Sequence, residues 1–280
     1  MAKRSLPVIP PEFSDPGIPS GIFSPSQYSL YKKCGRAYEF RYLMGIKTPP
    51  AAVMVKGTAV HAGAELSHKS VMETGKAPLL DAVRQHVADS FQEEISSDEG
   101  KLVDWEDQKP GQVKDEAIGL YTTYHRQALP KVHPMEVESH VIGRIGAVPV
   151  HGYIDLVDHT RQPSAGGVED PGVIVIADMK TTSTTWSEDD IKKDPQFTAY
   201  AALKGIPTVR VDNLVQLKKG PQLTQRTAIR TKQEIGILVE DYEQVVDHIK
   251  RGIFPMAPID SWMCSARWCG YWSRCRGRKL

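Results

Sequence analysis

Val173, Ile174, Val175, Ile176 and Ala177 form an unbroken apolar run that leads directly into Asp178, Met179 and Lys180. A strand with one face in water alternates apolar and polar positions. A run apolar at every position predicts a central strand covered on both faces. That requires a sheet with a packed layer on each side, and so an α/β architecture. The run is also far short of the roughly 20 apolar residues needed to cross a bilayer, so no membrane partner is expected.

The flanking sequence supplies the layers. Residues 1–22 are rich in Pro, Ser and Gly and read as irregular. Ser24, Pro25 and Gln27 predict a capped helix start, on a helix carrying Tyr28, Tyr31 and Cys34 and continuing to Leu43. Helical periodicity follows from near Gly57 and Thr58 through residue 74, then over 78–95 and 111–129. After Pro134 the character changes. Residues 135–143, 147–159 and 173–181 predict three successive strands, 194–205 a short helix, 209–219 with 222–231 a hairpin around Gly220 and Pro221, and 232–252 a long helix. We expect one domain over 1–280, with a mainly helical part at 1–133, a core at 134–252 and a tail at 253–280. The sheet is expected to be central, mixed and flanked by helices.

A net charge of +1 does not point to a nucleic-acid partner, but the charge is unevenly placed. The last 17 residues carry Arg267, Arg274, Arg276, Arg278 and Lys279 and no acid, and Lys32, Lys33, Arg36 and Arg41 surround Cys34. Such patches can grip phosphates without a basic average, though most charged patches are simply solvated faces. The start has no apolar segment of the secretory kind, so a reducing, cytoplasmic setting is the expectation. There, clustered cysteines hold metal more often than they form disulfides.

Asp178 and Lys180, two apart on a strand, point to the same face. Asp155, in Gly152-Tyr153-Ile154-Asp155, comes from the preceding strand. If the strands are neighbours, the two carboxylates converge and offer hard oxygen ligands to Mg²⁺ or Mn²⁺. Lys180 would then hold a water and offset charge developing on a phosphate. An Asp-x-Lys triplet alone is weak, arising roughly once by chance in a chain of this length. His61 with Glu65, and Gln196 with Tyr200, each lie one helical turn apart. Taken singly, each pair reads as ordinary helix surface.

In this order, the four pieces resemble the PD-(D/E)XK nuclease superfamily in its RecB/AddB-like iron–sulfur exonuclease branch. The matching stretches are GTAVHAGAE at 57–65, GYIDLVD at 152–158, IADMKT at 176–181 and QFTAY at 196–200, with SPSQYSLYKKCGRAYEFRY at 24–42 similar to the branch's first helix. No helicase motif accompanies them, so the chain is similar to the stand-alone exonucleases, of the CRISPR-adaptation and virus-encoded type. The resemblance implies that His61, Asp155, Asp178 and the Met179 carbonyl bind one Mg²⁺ or Mn²⁺. Lys180 would orient the attacking water, and Glu65 would assist or form a helix salt bridge. Gln196 and Tyr200 would brace the lysine or position DNA. It implies cleavage of single-stranded DNA or DNA ends, 5′→3′, in DNA repair or processing. A virus-encoded relative would act in its host's cytoplasm.

It also implies that Cys34, Cys264, Cys269 and Cys275 hold a [4Fe–4S] cluster stapling the first helix to the tail. Structural zinc also accepts four cysteines, and free or disulfide-paired cysteines are the third reading. The branch's second and third cysteines are usually separated by two residues, whereas four lie between Cys264 and Cys269. Arg36, Arg267, Arg274 and Arg276 would grip the DNA backbone. Trp262, Trp268, Tyr271 and Trp272, interleaved with the tail cysteines, would either shield the cluster or stack on bases. The alternatives to an exonuclease are a non-catalytic DNA-binding accessory protein and a structure-specific endonuclease or RNase on the same scaffold.

Overall fold

A computed structural model describes residues 9–160 and 172–277. Residues 1–8, within the stretch expected to be irregular, and Arg278 and Lys279 of the basic tail lie outside them. In chain order the helices are α1 (Pro25–Lys33), α2 (Gly35–Tyr38), α3 (Ala52–Thr74), α4 (Leu80–Ser96), α5 (Pro110–Gln127), α6 (Glu188–Lys193), α7 (Pro195–Lys204) and α8 (Lys232–Lys250). The strands are β1 (Pro134–Ile145), β2 (Val148–Thr160), β3 (Val173–Thr182), β4 (Thr208–Leu217) and β5 (Gly220–Ile229), which form one sheet in the order β1-β2-β3-β4-β5. β3 runs antiparallel to β2 and parallel to β4, and β4 runs antiparallel to β5. The fold is therefore α/β with a mixed, helix-flanked sheet.

The chain divides into two compact units. One comprises the described parts of Pro50–Val141 and Tyr153–Thr231. Here α3, α4 and α5 bury Val60, Val87, Phe91, Leu120 and Tyr121 in one cluster with Met179 of β3 and Leu214 of β4. Phe197 and Tyr200 of α7 and Ile191 of α6 pack with Ile154, Ile176, Val209 and Val211 of the strands in another. The apolar run is buried from Val175 onward, whereas Val173 and Ile174, at the start of the ladder opposite Thr160 and His159, are half exposed.

α3 begins at Ala52, five residues before the expected start, and Gly57 is interior to it. That glycine is a contact point rather than a boundary, since a Cβ there would sit 2.9 Å from Thr181 Oγ1. α6 has no periodic apolar signal and is set by a capping box between Ser187 and Asp190.

Under the sheet lies a buried ionic cluster. Arg210 donates to Asp158 Oδ2 (Nη1, 2.6 Å) and to Asp212 Oδ1 and Oδ2 (Nε, 2.9 Å; Nη2, 3.2 Å). Asp158 also accepts from the His133 N–H at 2.7 Å. Buried charges persist only when paired in this way.

The second unit holds the described residues up to Pro49, with Ile142–Gly152 and the chain from Lys232 onward. Tyr28 stacks on Tyr242 of α8 at 4.6 Å and donates to Asp241 at 2.8 Å. Ser24 caps α1 as expected, but buried Gln27 turns away from it and donates to Ser20 Oγ and the Ile22 carbonyl. α1 stops at Lys33, and Cys34 is extended before α2 and a π-helical turn resume the path to Leu43. Among the described residues no helix is long and apolar enough to cross a membrane.

Candidate active site

The β2–β3 register pairs Leu156 with Ala177. The next residues, Asp155 and Asp178, therefore leave the ladder at the same level. Asp155 Oδ2 accepts from the Met179 N–H at 3.1 Å and lies 3.3 Å from His61 Nδ1 on α3. Lys180 Nζ lies 2.8 Å from Asp178 Oδ2 and donates to Gln196 Oε1 at 3.3 Å. Gln196 in turn donates to Asp178 Oδ1 at 3.0 Å and to the Tyr200 hydroxyl at 3.4 Å. Asp194 caps α7 by accepting from the Gln196 N–H at 2.7 Å, which fixes where that side chain starts. His61, Asp155, Asp178, Lys180 and Gln196 line an open cleft of about 730 Å³ whose wall also includes Val53, Met54 and Glu138.

Asp178 is almost fully buried. Burial, with the Asp155 charge beside it, pushes its carboxyl up to about 6 against the opposing pull of Lys180. The Lys180–Asp178 contact is close but poorly aligned, so Asp178 Oδ2 lacks a true hydrogen bond. Burial alone would lower the Lys180 ammonium, but the Asp178 carboxylate outweighs it and holds the amine above the ordinary lysine value. Lys180 thus stays cationic, with Trp186 and Phe197 rings each 5.9 Å away.

A raised carboxyl favours the fold when protonated. That contribution is complete below the ordinary value of 3.8 and is lost as pH rises through about 6. In EDTA, the stability of wild type relative to Asp178→Asn should fall by about 1 kcal/mol between pH 5 and 7.5. Urea unfolding at both pH values measures this, and a pH-independent difference would refute the burial argument.

The expected metal ligands line one cleft but have different partners. His61, Glu138 and Asp155 bring ligand atoms within 4.8 Å of one another, whereas both Asp178 oxygens face Lys180 and Gln196. Met179 donates its N–H to Asp155. Glu65 accepts from Lys69 at 2.7 Å, the helix salt bridge left open above. Glu138 was not expected. It follows Glu136 at strand spacing, and nothing in the sequence distinguishes the two. Yet Glu136 pairs with Lys204, while Glu138 adopts a φ of +51° and faces the cleft. A positive φ on a non-glycine residue costs on the order of 1–3 kcal/mol and concentrates at functional sites.

The arginines expected to grip DNA have varied surroundings. Arg36 pairs with Glu39, and Arg276 donates to the Ala257 carbonyl at 2.9 Å. Arg267 lies over the Trp268 ring at 5.0 Å.

A strand-borne acid and lysine thus share one open cleft with an aspartate and a helical histidine. The profile of the PD-(D/E)XK nuclease superfamily matches residues 22–276, and the chain belongs to that superfamily. Its fold is similar to a crystal structure named "Putative exonuclease" from Eubacterium rectale, with a TM-score of 0.53 and 14% identity, over 92% of this chain and 88% of that one. A structure titled SSO0001 aligns at a TM-score of 0.37 and 13% identity, over 90% of this chain and 96% of that one. No curated protein matches the sequence. The chain is thus a member of a nuclease superfamily, with a nucleic acid as its substrate class.

Proposed function

We propose that this protein is a metal-dependent DNA exonuclease acting on single strands or ends, in the 5′→3′ direction, within the RecB/AddB-like iron–sulfur branch. The observation that carries this reading is the meeting of Asp155, Asp178, Lys180 and His61 in one open cleft. An imidazole nitrogen and two carboxylates within 4.8 Å fit a divalent ion. His61, Glu138 and Asp155 would hold Mg²⁺ or Mn²⁺, with Asp178 Oδ2 as a further donor. Such an ion supplies Lewis-acid polarisation of the scissile phosphate.

The chain's own residues do the rest. Lys180, kept cationic by Asp178, donates to the attacking water and to the phosphate oxygen on which charge grows. Gln196 holds both members of that pair in place, and Tyr200 supports Gln196 from one turn along α7. Asp155, anchored on the Met179 N–H, keeps His61 oriented through its Nδ1 side. The products would carry a 5′-phosphate.

We assign Cys34, Cys264, Cys269 and Cys275 to a [4Fe–4S] cluster. Support comes from Cys34, Cys269 and Cys275 packing beside Phe40 and Tyr271. Burial raises the Cys269 thiol, and Cys34, Cys264 and Cys275 are close enough to add to that rise.

Labelled linear DNA blocked at either end, together with circular single strands, tests the proposal in Mn²⁺ and in EDTA. Linear strands with an open 5′ end should be degraded only with metal, and circles should survive. Cut circles would mean an endonuclease, and no hydrolysis of any substrate would leave a binding protein.

A further inference from the structure

The tail places its aromatic residues in two different settings. Tyr271 is buried against Phe40 at 5.4 Å, and its hydroxyl donates to the Ile46 carbonyl at 3.1 Å. It is therefore part of the packing beside the cysteines. Trp262 and Trp268 instead are 68% and 56% exposed, although burying a large ring would be strongly favourable. They meet edge to face, with ring centres 5.6 Å apart, so one indole plane stands nearly perpendicular to the other. The Arg267 guanidinium sits 5.0 Å from the centre of the Trp268 ring.

Consecutive hydrogen-bonded turns hold the pair. The Cys264 N–H donates to the Ser261 carbonyl at 2.8 Å, Ser265 Oγ to the Trp262 carbonyl at 3.1 Å, and the Cys269 N–H to the Ser265 carbonyl at 2.9 Å. Two large rings held apart from the core, with a cation on one face, form a stacking platform. Among the described residues from 261 to 277 the chain has Arg267, Arg274 and Arg276 and no acid, a local charge that suits a polyanion.

We propose that Trp262, Trp268 and Arg267 form a binding site for single-stranded DNA that shares no residue with the cleft lined by Asp155 and Lys180, with bases stacking on the indoles and a phosphate meeting the guanidinium. Unstacked bases present π-faces to an indole whatever their sequence, whereas a duplex keeps its π-faces covered. The site deepens the exonuclease reading and rests on it for the choice of DNA. Its own measurement needs no catalysis.

The test is anisotropy of labelled oligo(dT) in EDTA. Trp262→Ala/Trp268→Ala should weaken binding at least about ten-fold, from stacking energies of roughly 1–3 kcal/mol per base. Trp262→Phe/Trp268→Phe should recover most of the affinity, and blunt duplex binding should change less than about two-fold. Unchanged oligo(dT) affinity in the double alanine variant would overturn the site, as would equal losses on duplex and single strand. A changed sedimentation coefficient with unchanged DNA affinity would also overturn it, assigning the rings to a protein contact. If no DNA is hydrolysed but the tryptophan dependence holds, the exonuclease reading fails and this site stands.

Discussion

Lys180→Ala and Asp155→Ala should each lower the rate of DNA hydrolysis in Mn²⁺ by roughly a thousand-fold or more, while the protein stays folded. Removing one preorganised electrostatic donor typically costs about 10²–10³ in rate. Lys180 is one such donor, and its replacement leaves buried Asp178 with no cation beside it. Asp155 touches both His61 and the Met179 N–H, so its loss removes one of the proposed metal ligands and frees the His61 ring from its partner. Groups that act as a unit are not additive, and the double variant should be little worse than either single one. Rates from a labelled strand, with circular dichroism to check the fold, measure this. Activity within ten-fold of wild type in either variant would remove this cleft from consideration as the reacting site.

Cys269→Ser should give a colourless, iron-free protein whose melting temperature falls by at least about 10 °C. Cys34 and Cys264 are 230 positions apart, so a shared cluster closes a very long loop. Closure of loops that long is worth several kcal/mol in the chain-entropy picture, and about 1 kcal/mol corresponds to some 2–4 °C in a protein of this size. The staple would also hold the tail, whose Pro255 carbonyl accepts from the Arg36 N–H at 3.2 Å and whose Ala257 N–H lies 3.4 Å from Cys34 Sγ. Iron analysis and visible absorbance report the cluster, and zinc in place of iron would reassign the metal. A colourless variant melting with wild type would disprove the staple.

The sheet, its flanking helices and the shared face of Asp178 and Lys180 could be read from the chain, because strand alternation and i,i+2 spacing are local rules, whereas the meeting with Asp155 depended on β2 pairing with β3. What escaped reading depended on the third dimension. Glu138 enters the cleft through a left-handed backbone angle that alternation cannot reveal. Nothing in strand alternation marks Arg210, Asp158 and Asp212 as partners, and only their burial makes the pairing obligatory. α3 hid its start because Gly57, locally a boundary signal, is held in the helix interior by its approach to Thr181. The divergent fates of Tyr271 and the two exposed tryptophans are likewise invisible in their spacing.

Gly63 carries a lesson for anyone seeking a hardier version of this enzyme. Replacing helical glycine with alanine is a routine stabilising change worth about 1 kcal/mol. At this position, however, the added methyl would come within 2.6 Å of Val87 Cγ2 and 2.9 Å of the Tyr121 ring. Crowding a filled interior costs roughly 1–3 kcal/mol, and relief would come from sliding the helix that carries His61. Robustness gained by the usual recipe would thus be taken from the placement of His61, and improvement has to begin on the helix's outward side.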